Sequence, residues 1–217
     1  MNSELGLSRV HFPITALGPG RRIGIWFQGC SIRCAGCMSR DTWGAARETI
    51  SVAALLQSIT PWVSAADGVT VSGGEPFDQP TALLGLLKGL RAAGDLPVLV
   101  YSGFPYDRLR ERHPLLLPFI DVLISEPFDG RQAVSAPLRG SANQRVSCLT
   151  ERGVALWQQA EAGWREQGSR LDLIAERDGS VWLAGVPGPG DLDRLDRRLG
   201  AAGIRAHTSA GRLGDLA

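Results

Sequence analysis

Residues 30–37, Cys-Ser-Ile-Arg-Cys-Ala-Gly-Cys, place three thiols within eight positions, separated by three residues and then by two. So short a segment cannot keep its sulfurs apart, and thiolate is the soft donor that iron–sulfur clusters select. A four-iron cubane takes about four ligands. Cys30, Cys34 and Cys37 supply three and leave one iron open to chemistry. The competing reading is a structural zinc site, normally closed by four ligands from paired Cys or His motifs. Neither a second Cys-x2-Cys nor a His pair at such spacing occurs. Cys148, far along the chain, reads as a small buried or half-exposed thiol rather than a fourth ligand.

Clustered cysteines mean metal or catalysis where thiols stay reduced. The opening Met-Asn-Ser-Glu-Leu-Gly-Leu-Ser lacks a basic start and apolar run, so no signal peptide is expected. No stretch reaches the roughly 18 apolar residues of a membrane span. The expected location is cytoplasmic. A net charge of +1 argues against nucleic acid or an anionic membrane as partner. A chain of 217 residues, 44% of them hydrophobic, suits one domain with a small appendage.

Along the chain, Gly-Pro-Gly-Arg-Arg at 18–22 forms a turn into a buried strand, Ile23–Gln28. The cysteine loop hangs from the end of that strand. Ser51 is placed to cap a helix over Val52–Ile59. A short strand, Val69–Ser72, runs into Gly73-Gly74-Glu75-Pro76, and Pro80 opens a leucine-rich helix. Pro97–Tyr101 is a third strand ending in Ser102-Gly103, Tyr106–His113 a helix, and Asp121–Ile124 a fourth strand. Strands alternating with helices in units of about thirty residues indicate βαβ repeats around a parallel sheet. Ligands in such folds gather beyond the carboxyl ends of the strands. The cysteine loop, Gly73–Pro76, Ser102-Gly103 and Ser125-Glu126 all fall there.

Leu138–Arg145 has neither helical nor strand period; it is open between an anion-binding loop and solvated surface. Beyond Cys148 the character changes. Thr150–Glu166 reads as a helix with Val154, Trp157, Ala160 and Trp164 on one face. Leu171–Glu176 and Ser180–Ala184 flank Asp178-Gly179, a two-residue hairpin turn. Residues 185–190, Gly-Val-Pro-Gly-Pro-Gly, resemble a phosphate loop superficially, but two prolines remove the amides that role needs. Asp191 caps a helix carrying Leu192, Leu195 and Leu199, and Ile204–His207 adds a last strand. The division expected is 1–148 as the core and 149–217 as an α-β-β-α-β appendage.

The cysteine loop resembles the CxxxCxxC signature of radical S-adenosylmethionine (SAM) enzymes, and Gly73-Gly74-Glu75-Pro76 resembles their GGE motif. Within that superfamily, Gly-Pro-Gly at 18–20, Phe27-Gln28-Gly29-Cys30 and Asp41-Thr42-Trp43 look most like the activating enzymes of class III (anaerobic) ribonucleotide reductase. Tyr101-Ser102-Gly103, Pro127-Phe128 and Leu138–Arg145 support the same subgroup, and the resemblance covers about residues 8–147.

The resemblance implies an α/β fold, a partial (β/α) barrel of the radical SAM type with a small C-terminal α+β appendage. It implies a [4Fe–4S] cluster on Cys30, Cys34 and Cys37, its open iron completed by the amino and carboxylate groups of SAM. Gly36, Met38, Ser72, Gly73, Gly74, Glu75, Ser102 and Ser125 become the SAM-binding candidates, with Arg139, Asn143 and Arg145 on a SAM- or partner-facing loop. Gly36 stands where an aromatic residue is common in the superfamily. Reductive cleavage of SAM to a 5′-deoxyadenosyl radical would then generate a glycyl radical on a partner enzyme. The electron would come from a reduced flavodoxin- or ferredoxin-like donor.

The chain continues about seventy residues past the end of the short family members. A radical SAM enzyme acting on a peptide or small molecule is therefore a second reading, and a non-catalytic iron–sulfur or zinc module a third.

Overall fold

The computed structural model describes residues 3–177, 179–205, 207–208 and 211–212. The first half runs β1 (Glu4–Leu5), β2 (Leu7–Ile14), β3 (Arg22–Phe27), β4 (Ile50–Ser51), α1 (Val52–Val63), β5 (Gly68–Gly73), α2 (Pro80–Ala93), β6 (Val98–Tyr101) and α3 (Tyr106–Arg112). Then follow β7 (Val122–Ser125), β8 (Ala133–Ala136), β9 (Arg139–Ser141), β10 (Arg145–Cys148), α4 (Glu151–Gln167), β11 (Leu171–Ala175), β12 (Val181–Gly185) and α5 (Asp191–Ala201). Two-residue strands β13 (His207–Thr208) and β14 (Gly211–Arg212) pair with each other.

Six strands form one mixed sheet in the order β10-β7-β6-β5-β3-β2. The four inner strands are parallel, and β2 and β10 are antiparallel edges. The architecture is α/β as expected, but the sheet is open and does not close into a barrel. Helical crossovers between parallel strands share one hand, which puts α1 and α2 on the same face. There Ile23, Ile25, Val69, Val71, Val98 and Val100 meet Leu55, Ile59, Leu83, Leu86 and Leu87, all essentially inaccessible to solvent. Ser51 caps α1 as expected, its hydroxyl accepting from the Ala54 amide at 3.2 Å.

The opposite face is where the C-terminal residues go. Leu99, Val122 and Ile124 pack against Leu156 of α4. Ile14, Leu17 and Trp26 pack against Ile174 and Ala184 of the β11–β12 hairpin, with the Trp26 and Trp182 rings edge to face at 5.2 Å. Asp172 fixes the hairpin by accepting from the Thr15 amide (2.6 Å), the Thr15 hydroxyl (2.7 Å) and the Ala16 amide (2.9 Å).

Several expectations shift. Leu138–Arg145 contains β9, paired with β8, and the first residue of β10, which completes the sheet beside β7. Pairing with a free strand edge, rather than any periodicity of its own, orders this segment. The buried face of α4 is Gly153 and Leu156, while Val154 is 46% exposed. Gly153 is needed there because a Cβ would lie 2.0 Å from the Asp121 carbonyl oxygen. In the hairpin the Glu176 amide donates to the Ser180 carbonyl, so the loop spans three residues with Gly179 at φ 86°; Asp178 lies outside the described residues. That is the left-handed position where a three-residue loop favours glycine. Gly190 is the cap residue of α5 and Asp191 its first helical residue. Of the expected strand Ile204–His207 only His207 is in a strand, and residue 206 lies outside the described residues.

Arg22, read as part of a turn, is fully buried at the start of β3. Its Nε donates to the Thr70 hydroxyl at 2.6 Å and its Nη2 to the Val69 and Pro97 carbonyls at 2.6 and 3.0 Å. Burial lowers its pKa to about 10, which leaves it charged at neutral pH. It ties three strand beginnings together at the end of the sheet remote from the cysteine loop.

Candidate functional site

The cysteine loop leaves β3 at its carboxyl end and is held at both margins. The Gly29 amide donates to the Thr42 carbonyl at 2.7 Å and the Cys30 amide to that of Trp43 at 3.3 Å. Asp78 accepts from the Ser31 amide and hydroxyl at 2.7 and 2.8 Å. Within the loop the Cys37 amide donates to the Cys34 carbonyl at 3.1 Å. Such bonds order the backbone without consuming the thiols, and Cys30, Cys34 and Cys37 all line one cavity of about 310 Å³ while remaining partly exposed. Burial pushes the Cys34 and Cys37 thiols upward, so metal must displace their protons. Among the described residues no three His, Cys, Asp or Glu side chains close on a single ion. That is compatible with thiolates each holding a separate iron.

The turn after β5 forms the second wall. Gly73 has φ 105°, and a Cβ there would lie 2.4 Å from the Phe27 nitrogen; on Gly74 it would lie 2.0 Å from the Gly29 carbonyl oxygen. Both glycines line the cavity, and the lack of a Cβ also lets the turn nest on the root of the cysteine loop. The Gly74 and Glu75 amides donate to the Phe27 and Gly29 carbonyls, both at 2.8 Å. Glu75 is 1% exposed and accepts from the Phe77 amide (3.0 Å), the Ser102 hydroxyl (2.9 Å) and the Gly103 amide (2.8 Å). Burial outweighs these bonds and raises its carboxyl to about 7. The side chain thus binds the end of β5 to the end of β6.

Gly36, Met38, Ser72 and Ser102 line the same cavity, as expected. Gly36 has φ 77°, and a Cβ there would come within 3.2 Å of the Phe128 ring. Ser125 does not reach the cavity: it is buried, its hydroxyl has no partner among the described residues, and Glu126 lines the wall instead. Strand alternation gives the reason. Leu123 of β7 packs on the helix face while Val122 and Ile124 face the other way, so Ser125 follows Leu123. Arg139, Asn143 and Arg145 also do not line the cavity, whereas their neighbours Gly140 and Gln144 do. Arg139 donates to the Gln144 carbonyl at 3.4 Å, Asn143 to that of Pro127 at 2.8 Å, and the Arg145 guanidinium lies 4.1 Å over the Tyr106 ring.

Residues beyond the SAM-binding candidates complete the cavity. Tyr101 lies on its floor, where burial pushes the phenol well up and its hydroxyl donates to the Leu138 carbonyl at 3.0 Å. Glu126 and Leu138 line it, and with Arg33 of the cysteine loop they are the non-glycine residues at positive φ among the described residues, at 81°, 54° and 53°. Strain of that kind gathers at functional sites. Leu183–Gly190 and Leu192 of the C-terminal segment form the remaining wall.

A family model described as a 4Fe-4S single cluster domain matches residues 16–147. The chain is similar to the anaerobic ribonucleoside-triphosphate reductase-activating protein of Haemophilus influenzae, 30% identical over 137 residues that make up 59% of this chain and 88% of that one. The protein of the same description from Vibrio cholerae is 29% identical over 149 residues, 64% of this chain and 96% of that one. The pyruvate formate-lyase-activating enzyme of Clostridium pasteurianum is 28% identical over 149 residues, and there the chain spans only 61% of the relative's length.

Proposed function

The chain belongs to the 4Fe-4S single cluster domain family, and from that premise we propose that it is a radical SAM enzyme that generates a glycyl radical on a partner enzyme, such as an anaerobic ribonucleotide reductase. The observation that supports this best is the nesting of the Gly73–Glu75 turn on the root of the cysteine loop, which brings two separate motifs to one cavity. A purely structural metal would need no such cavity.

In this reading Cys30, Cys34 and Cys37 hold the cluster, and Ser72, Gly73, Gly74, Glu75 and Ser102 bind or frame SAM. Bound together, cluster and SAM supply one-electron chemistry that cleaves SAM and takes a hydrogen atom from a glycine. Glu75 positions the ends of β5 and β6. Gly36 leaves the cavity open beside Phe128, and the backbone there would hold the adenine. Tyr101 and Trp26 close the floor against water. The proposed electron donor is a reduced flavodoxin- or ferredoxin-like protein in the cytoplasm. No helix among the described residues is long and apolar enough to cross a membrane.

The test is anaerobic reconstitution with iron and sulfide, then dithionite and SAM, with chromatography for 5′-deoxyadenosine. Product is expected from the wild type and not from Cys34→Ala, since two thiolates cannot hold the cubane. A folded wild type that takes up iron yet yields none would return the chain to the structural-metal reading.

A further inference from the structure

We propose that Trp43 is a positioning residue that sets the reduction potential of the cluster, its indole N–H donating to the Cys37 sulfur from the partition between the reaction cavity and an outer groove. It rests on a cluster held by Cys30, Cys34 and Cys37, the reading given above, in which Trp43 has no role.

Trp43 follows a single 3-10 turn, Arg40–Thr42, just beyond the cysteine loop. The turn is fastened on both sides. Thr42 is fully buried, and its amide and hydroxyl donate to the Ser39 carbonyl at 3.0 and 2.6 Å. The Trp43 amide donates to the Arg40 carbonyl at 3.1 Å, and the Trp43 carbonyl accepts from the Cys30 amide at 3.3 Å. On the far side the Gln28 side-chain amide donates to the Gly44 carbonyl at 2.9 Å. The Arg40 guanidinium stands 5.1 Å from the centre of the indole. The backbone of Trp43 is thus tied to one cysteine while its side chain is offered to another. Trp43 and Cys30 both line the reaction cavity and also a separate groove of about 330 Å³, which Gln28, Arg33, Ala46 and Asp78 share. The ring therefore separates the two spaces.

Each sulfur meets an N–H donor. The Arg33 amide donates to the Cys30 sulfur at 3.5 Å. Burial raises the Cys34 thiol, against an opposing bond from the Phe128 amide. Burial likewise raises the Cys37 thiol, against bonds from the Ser39 amide and the Trp43 indole. An N–H aimed at a sulfur stabilises negative charge there. Any residue but proline supplies a backbone amide, whereas an indole N–H comes from tryptophan alone. Reduction of the cluster adds one electron and makes its sulfurs more negative, so the donor favours the reduced form. Hydrogen bonds to sulfur and exposure to solvent are both levers on the potential. Here they act in opposite directions: loss of the N–H makes reduction harder, and water let past the ring makes it easier.

The experiment uses the full chain, wild type and Trp43→Phe, reconstituted anaerobically with iron and sulfide and without SAM. Iron and sulfide analysis reads loading. Each protein is titrated with dithionite against viologen mediators. In the step followed, [4Fe–4S]²⁺ takes one electron from the reduced viologen to give [4Fe–4S]⁺, with no bond made or broken. Electron paramagnetic resonance reads the reduced form at each potential.

Phenylalanine keeps a ring in the partition and removes the donor. Loss of an outer partner of a metal ligand changes affinity or activity by about 10–100-fold, and the lower end is expected here. With equal loading, the ratio of reduced to oxidised cluster at a fixed potential should be about tenfold lower in Trp43→Phe, a midpoint lower by about 59 mV for one electron. Trp43→Met, a flexible filler without a donor, should shift the same way and serves if the phenylalanine variant does not fold. An unchanged midpoint overturns the proposal. So does a higher one, which would make Trp43 only a barrier to water. Repeating the pair in an Arg40→Gln background removes the neighbouring charge, and a shift that vanishes there belongs to the guanidinium and also overturns it. So does a folded variant that takes up no iron, which would assign Trp43 to cluster assembly. A folded wild type that forms no [4Fe–4S] cluster would instead refute the cluster reading itself.

Discussion

Glu75 combines near-complete burial with three accepted hydrogen bonds and a carboxyl raised from 4.5 to about 7. The folded state therefore holds a proton more tightly than the unfolded chain. The stability that Glu75 lends is complete below about pH 4.5 and is lost as the pH rises toward about 7. Thermal unfolding of wild type and Glu75→Gln should show the wild type losing up to ~3 kcal/mol relative to the variant over that window. Parallel pH profiles would mean that burial does not govern this carboxyl. At Gly73 the issue is shape. Its φ of 105° and the 2.4 Å approach of a Cβ to Phe27 both oppose a side chain. Gly73→Ala should cost more than about 2 kcal/mol in urea titration of the metal-free protein, because the obstacle is backbone and cannot rotate away.

Among the elements, the β11–β12 hairpin and α4 depend on single residues for their seats. Asp172→Ala would strip the Thr15 and Ala16 amides of their acceptor. A loss of about 1–3 kcal/mol follows, with faster hydrogen exchange over 171–185. Unaltered exchange there would show that the Trp26–Trp182 contact suffices. Gly153→Ala would press a methyl group onto the Asp121 carbonyl 2.0 Å away and lift α4 from β7. Asp121 also joins Arg91 and Arg152 beneath that helix, accepting from them at 2.7 and 3.2 Å. Exchange should therefore rise in both α4 and β10.

For the whole molecule, the C-terminal segment covers one face of the sheet. A chain ending at Cys148 would expose Trp26, Leu99, Val122 and Ile124. At about 1.5–3 kcal/mol per large side chain uncovered, the midpoint of thermal unfolding should fall by about 10 °C or more. The truncated chain should also bind an apolar dye. A truncated chain as stable as the full one would make the segment an ornament.

The cysteine spacing, the glycine turn after a strand and the alternation of strands with leucine-rich helices are local patterns. They determined from the sequence alone the α/β class, the place of the cysteine loop at the end of a strand and the cavity-lining residues Gly36, Met38, Ser72, Gly73, Gly74, Glu75 and Ser102. Ser125 was misplaced by one residue because pleat parity depends on which face the helices take, a matter of topology. Arg139, Asn143 and Arg145 lie off the cavity because their segment takes its order from strand partners that no local pattern names: Arg139 pairs with Ala136 of β8, and Arg145 with Ser125 of β7. The buried Arg22 is a turn residue to any local reading, and only three strand starts meeting at one point make it a core residue. The wall at Leu183–Leu192 has no signature at all. Its lining is apolar and glycine-rich like many loops, and what makes it part of the site is the folding of a distant hairpin across the sheet. Short-range chemistry is written in neighbouring residues; which surfaces face one another is decided by packing.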